Sequence, residues 1–550
     1  MSPPLIGALV SLVVLAVWVA RVRQRRKLLA RLQAEWGQPR RGGERWFEPP
    51  PLPDGSPIDQ QTWSDLDLDA VLAAIDRTET ALGATALRAR VAEYARWSDL
   101  PDAPTLADAF ARDPSLRDDV GLELALAGRS AGQWLGALGQ PGVVQVRWWY
   151  WAFPVLALAM LTSLLAIAIW PKALLVAFGI ALLNVAVRVA TAWQLPGVLG
   201  PMRQLGPVLG LARRVARRLP DALPTRTRID ADLKSMRRLR RIAKWVSRDP
   251  ATDGEILASI WEYLNLLFVL DANALFLAGV ELREKGATLL RIMDWVGMVD
   301  VARGVASLRA EPRVWSEPRW SSTGPTVLEE AWHPLLEEPV TNPVDLVPGG
   351  GLLITGANMS GKSTYLRTLG VAVVLAHCLE TCPARSYRGR PLQIMTLIQV
   401  RDDLEGGRSY FQVEADRVAG LLARAAGETP TLFIVDELLR GTNSVERIAL
   451  TEAVMLALVR RDGPTPHVAV IATHDLEVAA AVVPPYAAWH FRETLANGEL
   501  TFDYRRREGP SPTRTGILVL EAAGAPAAVI ADAHARAERR GLREGGGSAE

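Results

Sequence analysis

Nine consecutive residues, Gly356-Ala357-Asn358-Met359-Ser360-Gly361-Lys362-Ser363-Thr364, combine glycines near both ends of a short loop with a lysine and hydroxyls. Glycine tolerates the backbone that lets successive N–H groups wrap a polyphosphate. The lysine can reach its β and γ phosphates, and the serine hydroxyl can ligate magnesium. The apolar run Leu352, Leu353, Ile354 precedes the loop and the helical stretch Tyr365 to Leu375 follows it. Strand, loop and helix thus occur in the order this chemistry needs, with the helix N-terminus adding a favourable field. All nine residues, Gly356, Ala357, Asn358, Met359, Ser360, Gly361, Lys362, Ser363 and Thr364, are expected to bind ATP, with Lys362 also catalytic and Ser363 a Mg2+ ligand.

Two further apolar runs end in polar side chains. Thr431-Leu432-Phe433-Ile434-Val435 leads into Asp436 and Glu437, about 75 residues beyond the loop lysine. Alone, such a run is a common strand terminus. Behind a phosphate loop it places Asp436 in the magnesium shell and Glu437 where it can orient and polarise the attacking water. Val468 to Ala472 leads into Thr473-His474-Asp475. A lone histidine there is more often structural; at the end of the next core strand it is placed to sense the γ phosphate, because neutral imidazole both donates and accepts hydrogen bonds.

These segments need an α/β domain to bring them together, expected over residues 319–540, after a boundary at Pro312 and the Ser321, Ser322, Gly324, Pro325 group. A chain of 550 residues is long enough for three or four domains in all, not every one of them soluble. Residues 59–147 and 194–318 read as two parts of an all-α core, with Leu66, Leu68, Val71, Leu72 and Ile75 at helical spacing. Residues 28–58, with Pro49, Pro50, Pro51 and Pro53, read as a Pro-rich linker, and 541–550 as a disordered tail. A net charge of +2 gives no global attraction for a polyanion, and two cysteines, Cys378 and Cys382, argue against a disulfide-built secreted fold.

Two regions point to a bilayer. Leu5 to Ala20 is almost wholly apolar and is followed by Arg21, Arg23, Arg25, Arg26 and Lys27, so residues 1–27 read as an uncleaved anchor and its basic flank. Trp148 to Trp170 carries no charge, and Ala173 to Trp193 is broken only by Asn184 and Arg188; 148–193 therefore reads as a two-helix transmembrane hairpin. The alternative is a buried hairpin in a soluble domain, which would normally show a polar stripe. Three spans beginning outside, with Arg203, Arg213, Arg214, Arg217 and Arg218 after the last, predict a multi-pass protein of the cell (inner or plasma) membrane with its α/β domain in the cytoplasm.

The three chemical segments, with Gly407-Arg408-Ser409-Tyr410-Phe411-Gln412-Val413-Glu414 between the first two, resemble the ATPase domain of the MutS mismatch-repair family. The Asn358-Met359 pair, Tyr365-Leu366-Arg367, Asp402-Asp403-Leu404, Arg440-Gly441-Thr442, Gly516-Ile517 and Ala523-Gly524-Ala525-Pro526 extend the likeness. Asp76-Arg77-Thr78 with Thr80 and Gly83 resembles the start of that family's helical core, and Leu289 to Ala302 its last helix, so the hairpin looks inserted within the core. The resemblance implies an ABC-type, MutS-like P-loop NTPase domain C-terminal to an all-α core with transmembrane helices. It also implies a homodimer paired through the ATPase domains, in which Ser409 reaches the partner's γ phosphate in trans and Glu414 steadies its segment. His333-Pro334 and Asn342 fall where the family's first strands approach the adenosine. Ala357 replaces the loop's usual proline, and Val445-Glu446-Arg447 replaces an acidic-glycine continuation. Residues before 59 leave no room for the family's mismatch-reading domain and lack its Phe-x-Glu wedge, so mismatch recognition by that route is not expected.

Two functions compete. One is a membrane-anchored, Mg-dependent ATPase of DNA-handling descent, with Lys234, Arg237, Arg238, Arg240, Arg241 and Lys244 as phosphate contacts. The other is an ATP-driven switch or scaffold acting on a membrane or protein partner without DNA. A transporter ranks last, because Gly406-Gly407-Arg408-Ser409-Tyr410-Phe411 is not of the Leu-Ser-Gly-Gly-Gln type.

Overall fold

The computed structural model describes residues 3–39, 52, 55–133, 135–139, 147–192, 196–246, 255–356, 360–399, 410–439, 444–459, 466–496, 499–511, 517, 520–521 and 524–545. Its helical part begins with short helices whose starts are written in the sequence. Asp59, Thr80 and Asp113 each accept a first-turn N–H and cap Gln60–Asp65, Ala81–Ala92 and Pro114–Ala127. Pro114 occupies the first helical position, where its missing N–H is harmless. After the hairpin come Pro196–Arg218, Arg226–Ser235, Arg237–Val246 and Glu255–Phe268, then a 40-residue helix, Leu270–Arg309.

The two halves of this core meet. Asp300 on the long helix accepts hydrogen bonds from the Glu79 and Thr80 backbone N–H groups and, at 2.7 Å, from the Thr80 hydroxyl. Gly297 lies so close to the helix Ala81–Ala92 that a Cβ would stand 2.6 Å from the Leu82 carbonyl oxygen. One apolar core runs through both halves and onto one face of the α/β sheet.

Between the halves lie Ala152–Ala166, preceded by a 3-10 turn at Trp148–Trp151, and Ala173–Ala192. Two stretches, Trp148–Ala166 and Ala173–Ala190, are long and apolar enough to cross a membrane, and they are only 22% and 17% buried. A hairpin sunk in a soluble core would bury most of its surface; here Leu158, Leu165, Leu175, Phe178 and Ile169 are exposed.

Leu5 to Ala20 falls in one helix, Pro3–Glu35. That helix does not stop at Lys27. Leu32 is buried, Arg31 pairs with Glu79, and Gln33 donates to Asp118 at 2.6 Å, so residues 28–35 belong to the docked helix rather than to the expected linker. At the other end, Ala527–Gly545 carries helix past the expected start of the tail at 541; residues 546–550 lie outside the described residues.

The α/β part starts with β1 (Arg319–Trp320), β2 (Thr326–Ala331) and β3 (Asn342–Leu346), followed by β4 (Gly350–Thr355), β5 (Ser386–Gly389), β6 (Gln393–Leu397), β7 (Thr431–Asp436), β8 (Val468–Ala472), β9 (Tyr486–Ala496) and β10 (Glu499–Glu508). A small sheet, β1-β5-β2-β3, flanks a six-stranded one, β10-β9-β4-β8-β7-β6, in which all but β10 run parallel. β4, β7 and β8 are almost wholly buried, as their unbroken apolar runs require when both sheet faces are covered.

Candidate nucleotide site

Parallel strands release their chains at one edge, and ligands of such sheets bind where those carboxyl ends converge. β4, β8 and β7 are consecutive neighbours, so the loops after Thr355, Ala472 and Asp436 open side by side. Gly356 and Gly361 take φ of +131° and +102°. A Cβ on Gly356 would stand 2.6 Å from the Phe491 carbonyl oxygen, so glycine is required there for conformation and space. Lys362 opens the helix Lys362–Leu379, is 1% exposed, and folds back so that Nζ donates to the Gly356 carbonyl at 2.6 Å. Ser360 is buried beneath the loop, and Thr364 lines the adjoining pocket. Ala357, Asn358, Met359 and Ser409 lie outside the described residues, as do Arg440, Gly441 and Thr442.

The Ser363 hydroxyl donates to Asp436 Oδ2, joining the two expected magnesium ligands. Glu437 follows at φ +63°, a left-handed conformation that a non-glycine residue adopts at a cost of about 1–3 kcal/mol. Its N–H is held by the Ala472 carbonyl at 2.9 Å, so β8 fixes the backbone that aims its carboxylate. His474 Nδ1 lies 2.9 Å from Glu437 Oε1. That hydrogen bond, with the charges of Glu437 and Asp475, raises the His474 pKa above 6.5 against the opposing effects of burial and Arg447. Asp475 is itself paired with Arg447. Buried Glu414 accepts from the Leu439 N–H at 2.6 Å, tying the helix Tyr410–Ala425 to the loop that carries Glu437.

Beside the phosphate loop lies a cavity of about 320 Å³ whose lining includes His333, Leu336, Tyr365, Phe491 and Tyr504. Burial holds His333 neutral, with its pKa lowered to about 4. Its Nδ1 accepts from the Leu335 N–H at 3.3 Å, which leaves Nε2 as a buried N–H without a partner. Asn342 spends its amide on the Tyr504 carbonyl and the Arg506 N–H, both at 2.9 Å, and so shapes the β10 bulge that brings Tyr504 against Gly361. Phe491 and Tyr504 were not singled out from sequence. Phe491 is on β9 and Tyr504 on the edge strand β10, both far along the chain, and only the pairing of β9 with β4 and of β10 with β9 places them here.

The site therefore has parts a bound triphosphate requires: glycines that shape a loop, a buried lysine, a hydroxyl–carboxylate pair suited to a hard cation, and a cavity beside which His333 Nε2–H has no partner among the described residues. Residues 352–540 match the family model of MutS domain V, the ATPase domain of the MutS family, and that match supports membership of the chain in this family.

Proposed function

We propose that this protein is a membrane-anchored, MutS-like ATPase that binds ATP with Mg2+ and hydrolyses it as a homodimer, its ATPase domain on the cytoplasmic side of the cell membrane. The observation that carries the reading is the convergence of Ser363, Asp436, Glu437 and His474 at the ends of three neighbouring strands. Magnesium would be held by Ser363 and Asp436, where it would offset charge on the phosphates. Lys362 neutralises the β and γ phosphates, and the loop N–H groups cradle them. Glu437 would orient the attacking water, and His474, hydrogen-bonded to its carboxylate, would sense the γ phosphate. The His333 Nε2–H is the donor available to an adenosine in the adjoining cavity.

Members of the MutS family are typically dimers, and the trans role given to Ser409 needs a second copy. The test is the Glu437→Gln variant, which should keep ATP bound and stop turnover. Equal activity in variant and wild type would remove the water-positioning role.

A second reading, contact with DNA, draws on a different observation. Packing of Pro196–Arg218 against Arg237–Val246 sets exposed Arg213 in the field of Arg217, Arg240 and Arg237, whose repulsion lowers its pKa. A polyanion would relieve that repulsion. Titrating the Glu437→Gln chain, with ATP and magnesium, against duplex, mismatched and branched DNA at two salt concentrations separates the readings. Saturable, salt-sensitive binding strengthened by ATP supports DNA handling. No binding at low salt favours a switch acting on a membrane or protein partner.

A further inference from the structure

The hairpin is not alone at its base. Glu255–Phe268 packs against both of its helices and is followed, after a single residue, by the long helix Leu270–Arg309 at a bend of 67°. The break is at Val269, a β-branched residue at φ +50°, where it is strained, and it is 3% exposed in a cluster with Tyr150, Phe153, Ala272 and Phe276. The break is also bridged by side chains: Asn265 donates to Asp271 at 2.6 Å and accepts from the Asp271 N–H at 3.0 Å.

Contacts across the hairpin set directions. Asn184 Nδ2 donates to the Leu267 carbonyl, and Arg188 pairs with Glu262, so Glu255–Phe268 runs antiparallel to the second hairpin helix. Asn273 Nδ2 reaches the Phe153 carbonyl at 3.3 Å, and Phe276 meets Trp151 with ring centroids 4.8 Å apart, so the long helix runs antiparallel to the first. The chain therefore climbs toward the hairpin tip along one helix, turns at Val269 and retreats along the other. Asn184 stands eight residues before Ala192, so its contact with Leu267, just short of the apex, lies about 12 Å up the hairpin at 1.5 Å per residue. That is less than half of a hydrocarbon core of about 30 Å. Tyr263 and Leu264 on Glu255–Phe268 are exposed, as are Trp148 and Trp151 at the hairpin base, a composition suited to the membrane interface.

We propose that Glu255–Phe268, with the first turn of the long helix, is a re-entrant wedge seated in the leaflet facing the ATPase domain, so that the lipid-contacting unit has three helices rather than two. This rests on the hairpin being transmembrane. The Arg188–Glu262 pair and Asn184 hold the wedge on the hairpin and satisfy polar groups that lipid would leave bare.

The experiment uses the full chain in phosphatidylcholine–phosphatidylglycerol vesicles, with a single added cysteine carrying an environment-sensitive fluorophore; the native Cys378 and Cys382 are buried. Positions are Leu264→Cys and Tyr263→Cys on the wedge, Leu158→Cys on the hairpin, and Val314→Cys on the exposed surface far from it. Wedge labels should shift to the blue, resist aqueous iodide and be quenched best by a nitroxide high on the acyl chain. The Leu158 label should be quenched best by a deeper one, and Val314 by iodide alone. Iodide quenching at both wedge positions with Leu158 protected overturns the wedge and leaves the hairpin reading standing. Iodide quenching at Leu158 overturns the hairpin reading and the wedge with it.

Discussion

Asp65→Asn should lower turnover while leaving nucleotide binding nearly intact. Asp65 ends the six-residue helix Gln60–Asp65 and is 1% exposed. Its Oδ2 accepts from the Thr396 hydroxyl at 2.7 Å and the Ile398 N–H at 2.8 Å; its Oδ1 accepts from the Gln399 N–H at 3.0 Å and Gln61 Nε2 at 2.8 Å. An asparagine amide offers one acceptor oxygen and turns an NH2 toward the other pair of donors. In either orientation at least one backbone N–H loses its partner and a charge-assisted bond is lost, about 2–5 kcal/mol in total. That loss falls at the end of β6, from which the chain leads directly into the segment containing Ser409. The phosphate loop leaves β4, separated from β6 by β8 and β7. A factor of ten corresponds to about 1.4 kcal/mol, so kcat falls tenfold where that fraction of the loss is expressed in the transition state, while the ATP Kd changes little. Arg417→Lys is the companion variant, because Arg417 forks onto Asp59 at 2.8 and 2.9 Å and also reaches the Thr396 carbonyl. Measuring kcat, ATP Kd and a melting curve for both variants decides the matter. Unchanged kcat in both refutes a positioning role for this joint, and parallel loss of kcat and binding with a collapsed melt makes it merely structural.

Glu437→Gln should reduce turnover by about 10²–10⁴ with ATP still bound, and Lys362→Ala should weaken binding itself, as read by equilibrium binding of a fluorescent ATP analogue. Because His474 has its pKa raised, the acid limb of the rate profile should lie above pH 6.5. Removing one of the charges that raises it, in Asp475→Asn, should move that limb to lower pH. Burial lifts Asp300 to about 7, above the unfolded value of about 3.9. Its contribution to stability is therefore full below the unfolded pKa and is lost as pH rises from about 4 to about 7, and Asp300→Asn should flatten that slope in thermal melts. Thr80→Val removes a helix cap and a hydroxyl bond to Asp300, and should destabilise the core by about 2–4 kcal/mol in chemical denaturation.

The parts legible in sequence are those where chemistry and local conformation coincide. Gly356 and Gly361 have the left-handed backbone the loop requires; Asp436, Glu437 and His474 follow runs whose apolar pattern already marked strands, and Ser363, at the start of the helix after the loop, meets Asp436 there. The pairing of Thr80 with Asp300, 220 positions apart, was reachable only through the family resemblance, since no periodicity links the two segments. The wedge Glu255–Phe268 was hidden because Glu262 and Asn265 interrupt it, and its membrane character depends on what Arg188 and Asn184 do on another helix. Asp65 gave no signal at all. A carboxylate at a helix end is ordinary in sequence, and only the fold brings it to β6 of a domain that starts more than 250 residues later.

The long helix makes sense of these joints taken together. Its forty residues span about 60 Å, from the Val269 break beside the hairpin to Arg309. There Arg309 donates to the Thr381 hydroxyl and the Glu380 carbonyl, both at 3.0 Å, at the C-terminal end of the helix that opens with Lys362. One turn earlier, His377 stacks on Tyr94 with ring centroids 4.2 Å apart and touches its carbonyl, fastening the same helix to the first half of the core. Interiors packed at crystal-like density transmit displacement rather than absorb it. A tilt of the Lys362–Leu379 helix on nucleotide binding would therefore act at Arg309 and His377, and the long helix offers it a continuous route to Val269. Of the two functions the sequence left in competition, the membrane-directed switch has this route written in named contacts, whereas DNA handling rests on a charged surface alone.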